Sequence, residues 1–299
     1  MAEHAARDLS TKVKMQEKEN SEQWTTIIQP RAEWFDINLS ELWRYRDLIA
    51  LFVRRDFVAF YKQTVLGPAW FLLQPLFSTI VFTVVFGKIA KISTDGLPQV
   101  LFYMSGIVAW SYFASCFTKT ADTFVTNAHI FGKVYFPRLT VPISIVITNL
   151  LTFAIQFFLF LAFWLFFYLK GSNINPNLWL LSIPFLLVQM AALGLGVGIT
   201  VSSLTTKYRD LSFAVTFGVQ LWMYATPIVY PMSQIPVKWQ WIYALNPMAV
   251  IVETFRHALL GAGSISLWHL AISFGMTSVL LVGGLLLFSR VEKTFMDTV

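Results

Sequence analysis

The chain has 299 residues, of which 56% are hydrophobic and only 13% are charged, about half the charged share of an ordinary soluble domain. This composition excludes a soluble globular protein and predicts a chain whose solvent is largely lipid. The net charge of +6 does not call for nucleic acid, because membrane proteins concentrate basic residues in cytoplasmic loops, where anionic lipids attract them. The single cysteine, Cys116, excludes an intrachain disulfide and a cysteine metal cluster.

Residues 1–47 are polar, lack the apolar run of a secretory signal, and predict a cytoplasmic N-terminal tail. In residues 48–66, apolar side chains recur at helical spacing and basic ones lie mostly on the opposite face, which predicts an interfacial amphipathic helix. Two roles are open for it: anchoring of the tail, or a cytoplasmic gate that binds the pyrophosphate of a lipid-carried substrate. The candidate gate residues are Arg54, Arg55, Tyr61 and Lys62.

Six stretches without acidic or basic charge, apart from His269, are long enough to cross a bilayer core. The predicted spans cover about residues 68–87, 98–118, 141–169, 178–204, 211–230 and 266–289. Most of the 22 Lys and Arg residues fall on the side of the tail, so both termini are predicted to be cytoplasmic. The fold class predicted is therefore all-α integral membrane, with six transmembrane helices over residues 67–299.

The loop between the second and third spans, residues 122–138, is polar enough to leave the membrane but carries bulky apolar side chains. It is either a lipid-facing loop or a short cytoplasmic helix that docks Ile130 and Phe131 into a groove of a soluble subunit. The candidate coupling residues are Asn127, His129, Ile130, Phe131, Lys133, Tyr135, Phe136 and Arg138.

Aromatic side chains crowd the third span, where they either stack on sugar rings or simply face lipid. Amides and hydroxyls within spans indicate a protein or water partner. The candidate translocation-path residues are Trp70, Phe71, Gln74, Tyr112, Phe153, Gln156, Trp222 and Tyr224. Gly194, Gly196 and Gly198 indicate close helix packing rather than a nucleotide loop, because no strand precedes them.

Residues 239–260 begin with an uncharged stretch that is too short to cross and that contains Pro247, which predicts an external re-entrant hairpin between spans five and six. Asn246 is placed to cap a helix that starts at Pro247. Glu253, Arg256 and His257 then share a neighbouring helical face. Together with Asn246 they form either an external gate or a surface ion pair.

No Gly-x4-Gly-Lys-Ser/Thr loop for ATP phosphates occurs in the chain. The spans also hold almost none of the titratable residues that ion-coupled carriers or membrane enzymes need. We therefore expect no enzyme activity, no catalytic residue and no metal or cofactor in this chain, with nucleotide handled elsewhere.

Several strings resemble the membrane subunit of the ABC-type polysaccharide exporters, which move O-antigen, capsular polysaccharide or teichoic acid across bacterial inner membranes. The most specific is Arg55-Asp56, then Tyr-Lys-Gln-Thr-Val-Leu-Gly-Pro-Ala-Trp at residues 61–70, then Gln-Pro-Leu at residues 74–76. Similar stretches follow at residues 133–138, 207–210, 226–231 and 245–248, and at Phe255-Arg256.

The resemblance implies a homodimeric permease with two copies of a separate ABC ATPase subunit that binds ATP and Mg. It also implies a coupling helix near residues 127–138 and a substrate of glycan on undecaprenyl diphosphate, with membrane lipid as the surrounding partner. Two alternatives remain open: an ABC permease for a drug or another lipid, and a passive membrane channel or scaffold.

Overall fold

The computed structural model describes residues 39–294, apart from residues 63, 206–207, 209 and 264. Most of the predicted tail, and Lys207 and Arg209 of one resembling string, therefore lie outside the described residues. The α-helices are α1 (Leu39–Arg44), α2 (Arg46–Lys62), α3 (Trp70–Phe82), α4 (Gln99–Ala121), α5 (Thr123–Phe131), α6 (Thr140–Leu169), α7 (Ile183–Thr205), α8 (Leu211–Tyr224), α9 (Val237–Ala244), α10 (Pro247–Leu260) and α11 (Leu267–Thr294). No β-strand occurs among the described residues, so the predicted all-α class is confirmed for them.

Five helical stretches are long and apolar enough to cross a membrane. They are Gly67–Ile89, Gln99–Ala121, Thr140–Leu169, Leu178–Thr205 and Leu267–Val291. The first joins a 3-10 turn at Gly67–Ala69, α3 and a π-helical turn at Thr83–Ile89, and the fourth starts with a 3-10 turn at Leu178–Ser182. The five stretches coincide with five of the six predicted spans, so the chain is a multi-pass membrane protein.

The fifth predicted span, residues 211–230, is not confirmed as a full crossing. Its helix α8 has 14 residues, which corresponds to a length of about 21 Å against a bilayer core of about 30 Å. The helix ends at Tyr224, and the next residues include Pro227 and Pro231, which have no backbone N–H to continue it. The carbonyl oxygens of Pro227 and Ile228, just beyond this end, accept hydrogen bonds from a distant side chain, described below.

Helix α4 lies at the centre of the fold. In its most apolar 18-residue segment 78% of the residues are buried, against 17% in the corresponding segments of the first, third and last spanning stretches. It packs against α6, α7 and α10. A Cβ atom added at Gly194 would lie 2.8 Å from Cβ of Cys116, and one at Gly198 would lie 2.6 Å from Cβ of Thr120. The helix-packing interpretation of the α7 glycines is therefore confirmed.

A second apolar cluster lies at the end of the bundle where α2, α5, the start of α6 and the end of α11 meet. We name it the aromatic junction, and its rings belong to Phe52, Phe124, Phe131, Phe136 and Phe288. Every one of these five side chains is at least nine-tenths buried. The junction therefore joins the segment before the first span to the loop after the second.

Candidate functional site

The hairpin between α9 and α10 is closed by Asn246, whose side chain takes part in four hydrogen bonds. Its Oδ1 accepts one from the backbone N–H of Met248, which caps α10, and one of 2.9 Å from Nε1 of Trp222. Its Nδ2 donates to the carbonyl oxygen of Ala225 and to Oγ1 of Thr226. One side chain thus caps α10 and fastens it to the end of α8.

Arg256, on α10, is the largest fully buried side chain among the described residues, at 1% exposure. Its guanidinium donates to the carbonyl oxygens of Pro227 at 3.0 Å and Ile228 at 3.4 Å, in the segment that follows α8. It also lies 3.8 Å above the ring of Phe102 on α4, in a cation–π contact. Arg256 therefore joins α10, α4 and the segment after α8 in one polar knot.

Glu253 completes this knot, because its Oε2 lies 3.4 Å from a guanidinium nitrogen of Arg256. Burial raises the pKa of the Glu253 carboxyl above its usual range, and the charge of Arg256 opposes that shift. Gly263 has φ +95°, a backbone conformation that favours glycine, and a Cβ atom there would meet the Glu253 carboxylate. The predicted pair of Glu253 and Arg256 is thus a buried ion pair rather than a surface one.

Glu253 also lines a cavity of about 410 Å³ between the hairpin and the neighbouring loops. Asp95, Ser233 and His269 line it as well, and Oγ of Ser233 donates to both carboxylate oxygens of Asp95. His257 lies half-buried beside it, with Nδ1 3.0 Å from the carbonyl oxygen of Gly263. The four predicted external residues therefore lie on one hairpin, in different contacts.

Part of the predicted translocation path is buried between helices of the single chain. Tyr112 and Phe153 contact each other at 5.3 Å between ring centroids, and Gln156 accepts a 2.7 Å hydrogen bond from Ser111. Phe71 is buried and stacks on Phe57 of α2 at 5.9 Å. These side chains hold α4 to α6 and α2 to α3.

Another part of the predicted path lies on the outside of the chain. Trp70 and Gln74 are exposed on α3, and Tyr224 is 54% exposed at the end of α8. Gln220, another amide within a predicted span, is exposed one turn before Tyr224. Neither Gln74 nor Gln220 makes a side-chain hydrogen bond to another described residue. Trp222 instead turns inward and packs edge-on against Phe113.

The predicted gate residues on α2 point in different directions. Arg55 pairs with Asp56 at 2.7 Å and lies 4.8 Å above the ring of Phe52. Arg54 is exposed beside an apolar groove, and Lys62 is exposed at the end of the helix. The side chain of Tyr61 lies outside the described residues. A further cation that the sequence interpretation did not assign, Lys119, donates a 3.0 Å hydrogen bond to Asn149.

The predicted coupling residues divide into a buried and an exposed set. Phe131 and Phe136 lie in the aromatic junction, with Phe136 5.8 Å from Phe52 and Phe131 5.7 Å from Phe136. Asn127 is buried and donates to the carbonyl oxygen of Thr123, Ile130 is half-buried, and the guanidinium of Arg138 lies 5.8 Å above the Phe131 ring. His129, Lys133 and Tyr135 are exposed, together with the unassigned Val125 and Val134.

The sequence of this chain is similar to those of known transport proteins. The family model described as "ABC-2 type transporter" matches residues 47–260, more than half of the chain. The O-antigen export system permease protein RfbA of Klebsiella pneumoniae is 29% identical over 252 residues, 84% of this chain and 94% of that relative. A protein of the same name from Myxococcus xanthus is 26% identical over 218 residues, 72% of this chain and 81% of that relative.

The Polysialic acid transport protein KpsM of Escherichia coli is 24% identical over 255 residues, 83% of this chain and 95% of that relative. The match to the family model runs from α2 through α10 and so includes every ring of the aromatic junction except Phe288, four of the five spanning stretches and the hairpin. The chain belongs to the ABC-2 type transporter family and is homologous to permeases of O-antigen and polysaccharide export.

Proposed function

We propose that two copies of this chain form the channel of an ATP-driven exporter of polysaccharide carried on undecaprenyl diphosphate. The exporter lies in the bacterial inner membrane with both termini of each copy in the cytoplasm. The names of the relatives, which refer to O-antigen and polysialic acid, support a glycan as the cargo. ATP and Mg are bound by two copies of a separate ATPase subunit.

The observation that carries the proposal is the position of Gln74 and Gln220. Each is an exposed amide on a largely apolar helix, and neither makes a side-chain hydrogen bond to another described residue. A polar side chain facing lipid is unfavourable, so such groups face protein or water instead. We place these faces of α3 and α8 between two copies, where they border a water-filled path for the glycan.

The exposed aromatic side chains on the same faces suit a sugar polymer. Trp70 lies one turn from Gln74, and Tyr224 lies one turn from Gln220. Flat aromatic faces bind the apolar faces of sugar rings with little dependence on sequence, while amides bind the hydroxyls. A path of this kind tolerates the repeated, variable units of a long glycan.

The coupling step is assigned to α5 and the loop that follows it. The exposed residues Val125, His129, Lys133 and Val134 provide the surface for the ATPase subunit. Phe131 and Phe136 behind them carry a displacement to Phe52, because packed rings move together rather than deform. Movement of the ATPase thus reaches α2, which carries the candidate gate residues for the pyrophosphate, Arg54, Arg55, Tyr61 and Lys62.

On the external side, the hairpin closes the exit. Asn246 and Arg256 fasten α10 to the end of α8, so a shift of α8 during transport moves the hairpin as well. His257 lies half-buried on the hairpin, and Glu253 lines the cavity beside it. The gate therefore opens with the helix that borders the path rather than independently of it.

The test is thiol labelling in sealed membranes of cells that make the exporter. Gln74→Cys and Gln220→Cys are compared with Phe158→Cys, an apolar position on α6 that is 71% exposed. The native Cys116 is buried and gives little background. We expect a charged, membrane-impermeant maleimide to label positions 74 and 220 but not 158. Equal protection of all three positions would contradict a water-filled path along these faces.

A further inference from the structure

An apolar groove runs between the N-terminal helices and the first turns of α6. Its volume is about 770 Å³, within the range of about 300–1,000 Å³ typical of ligand pockets. The residues that form its walls include Trp43, Ile49, Val53 and Phe57 on one side and Ile147 and Leu151 on the other. The lining is almost entirely apolar, so the occupant must present hydrocarbon to it.

Two arginines stand at the rim of this apolar groove. Arg46 and Arg54 both line it from α2, and both are exposed. Arg46 has a weak contact of 3.9 Å with the adjacent Asp47, and its guanidinium lies 5.7 Å from the Trp43 ring. Arg54 has no carboxylate within ion-pair distance among the described residues. The rim therefore presents two positive charges to whatever fills the groove.

The groove also runs along the spanning helix α6, as the acyl chain of a membrane lipid would. Its α6 wall extends from Ile143 to Leu151, a rise of about 12 Å along the helix at 1.5 Å per residue. This wall starts near the N-terminal end of the spanning helix α6 and runs toward the apolar middle of that helix. An occupant with an anionic head at the arginines and a hydrocarbon chain along α6 satisfies both the charge and the lining.

We propose that this groove is a binding site for an anionic phospholipid of the surrounding membrane, with its phosphate between Arg46 and Arg54 and one acyl chain along α6. The site shares Arg54 with the predicted pyrophosphate gate, whereas Arg55, the next residue, turns toward Asp56 and Phe52. The bound lipid fills the space between α2 and α6 and holds the amphipathic helix against the bundle. The proposal does not depend on the identity of the exported substrate.

The test is lipid titration of the full-length chain, purified in detergent and stripped of lipid, read by native mass spectrometry. We expect phosphatidylglycerol to bind more tightly than phosphatidylcholine, and more weakly as salt is raised. Arg46→Gln and Arg54→Gln should each lower the affinity for phosphatidylglycerol about fivefold. The matched control is Arg44→Gln, which removes one charge two residues before Arg46 but outside the groove, and should leave the affinity unchanged.

A second variant, Leu151→Trp, fills the groove and should displace phosphatidylglycerol even though Arg46 and Arg54 are both kept. Equal binding of the two phospholipids, unaffected by either rim variant, would overturn the proposal. So would stronger binding of undecaprenyl phosphate than of phosphatidylglycerol, because the groove would then serve the substrate. If Leu151→Trp instead removed the mass of the dimer and left lipid occupancy unchanged, the groove would be assigned to a second copy of the chain.

Discussion

The indole N–H of Trp222 donates a 2.9 Å hydrogen bond to the side-chain oxygen of Asn246, which lies 24 residues later in the chain. Trp222 belongs to the helix that borders the proposed path, and Asn246 caps the hairpin at the proposed exit. The same asparagine holds the turn at Ala225 and Thr226. Path and exit are thus joined by one side chain that serves both as a cap and as a clamp.

Asn246→Ala is expected to destabilise the protein by about 1–3 kcal/mol, because it removes a helix cap and takes a hydrogen bond from the buried N–H of Met248 and the buried hydroxyl of Thr226. The measurement is unfolding in mixed micelles by a denaturing detergent. Asn173→Ala, in an exposed loop, is the control and should change stability by less than about 0.5 kcal/mol. Equal effects of the two substitutions would contradict the clamp.

Arg256→Met is expected to cost about 3–5 kcal/mol, because it leaves the Glu253 carboxylate buried without its partner. Arg256→Lys should not restore stability, since an ammonium cannot reach two carbonyl oxygens and stack on Phe102 at once. The double variant Arg256→Met with Glu253→Gln should be more stable than Arg256→Met alone. If the double variant is the less stable one, the ion pair is not the reason for the loss.

Gly198→Ala is expected to destabilise the bundle by about 1–3 kcal/mol, because its new Cβ would overlap Thr120 on α4. Gly275→Ala provides the matched control: its Cβ would meet nothing within 4 Å, and alanine favours the helix by about 1 kcal/mol. Thermal unfolding in detergent should therefore separate the two variants in opposite directions. A neutral Gly198→Ala would mean that α4 and α7 can move apart freely.

Docking and packing in the coupling loop can be separated by two substitutions. Val134→Ser changes an exposed side chain and should weaken binding of the ATPase subunit without changing thermal stability. Phe131→Leu loosens the aromatic junction and should lower stability by about 1–2 kcal/mol while the ATPase still binds. Affinity purification and thermal unfolding give the two readouts. Loss of ATPase binding in Phe131→Leu alone, with full stability, would assign docking to Phe131.

Five membrane-spanning stretches were predictable from the sequence because uncharged length is a local property, and they match the structure. The short α8 shows the limit of that criterion, because Pro227 and Pro231 lie just beyond its end in a stretch that remains uncharged and apolar. What the local sequence does not show is that Arg256, 28 residues after Ile228, donates hydrogen bonds to the carbonyl oxygens of Pro227 and Ile228.

The same limit applies to the coupling loop. From sequence, Phe131 in a polar loop indicates a side chain exposed for a partner. In the structure it contacts Phe124, which stacks at 4.8 Å on Phe288 near the C-terminal end of α11. Only the folded chain shows that a residue more than 150 positions away covers this loop. Val125 and Val134, less conspicuous in the sequence, form the exposed surface instead.

The proposed function of this chain is the transport of a lipid-linked glycan with energy from a separate ATPase. The most direct test is reconstitution of the chain, with the proposed nucleotide-binding subunit, into proteoliposomes that contain undecaprenyl diphosphate-linked polysaccharide. We predict ATP-dependent appearance of the glycan on the side opposite the nucleotide, lost in a variant of the ATPase that cannot hydrolyse ATP. Glycan transfer that continues without ATP, or ATP-dependent transport of small lipids and drugs but no glycan, would contradict the account.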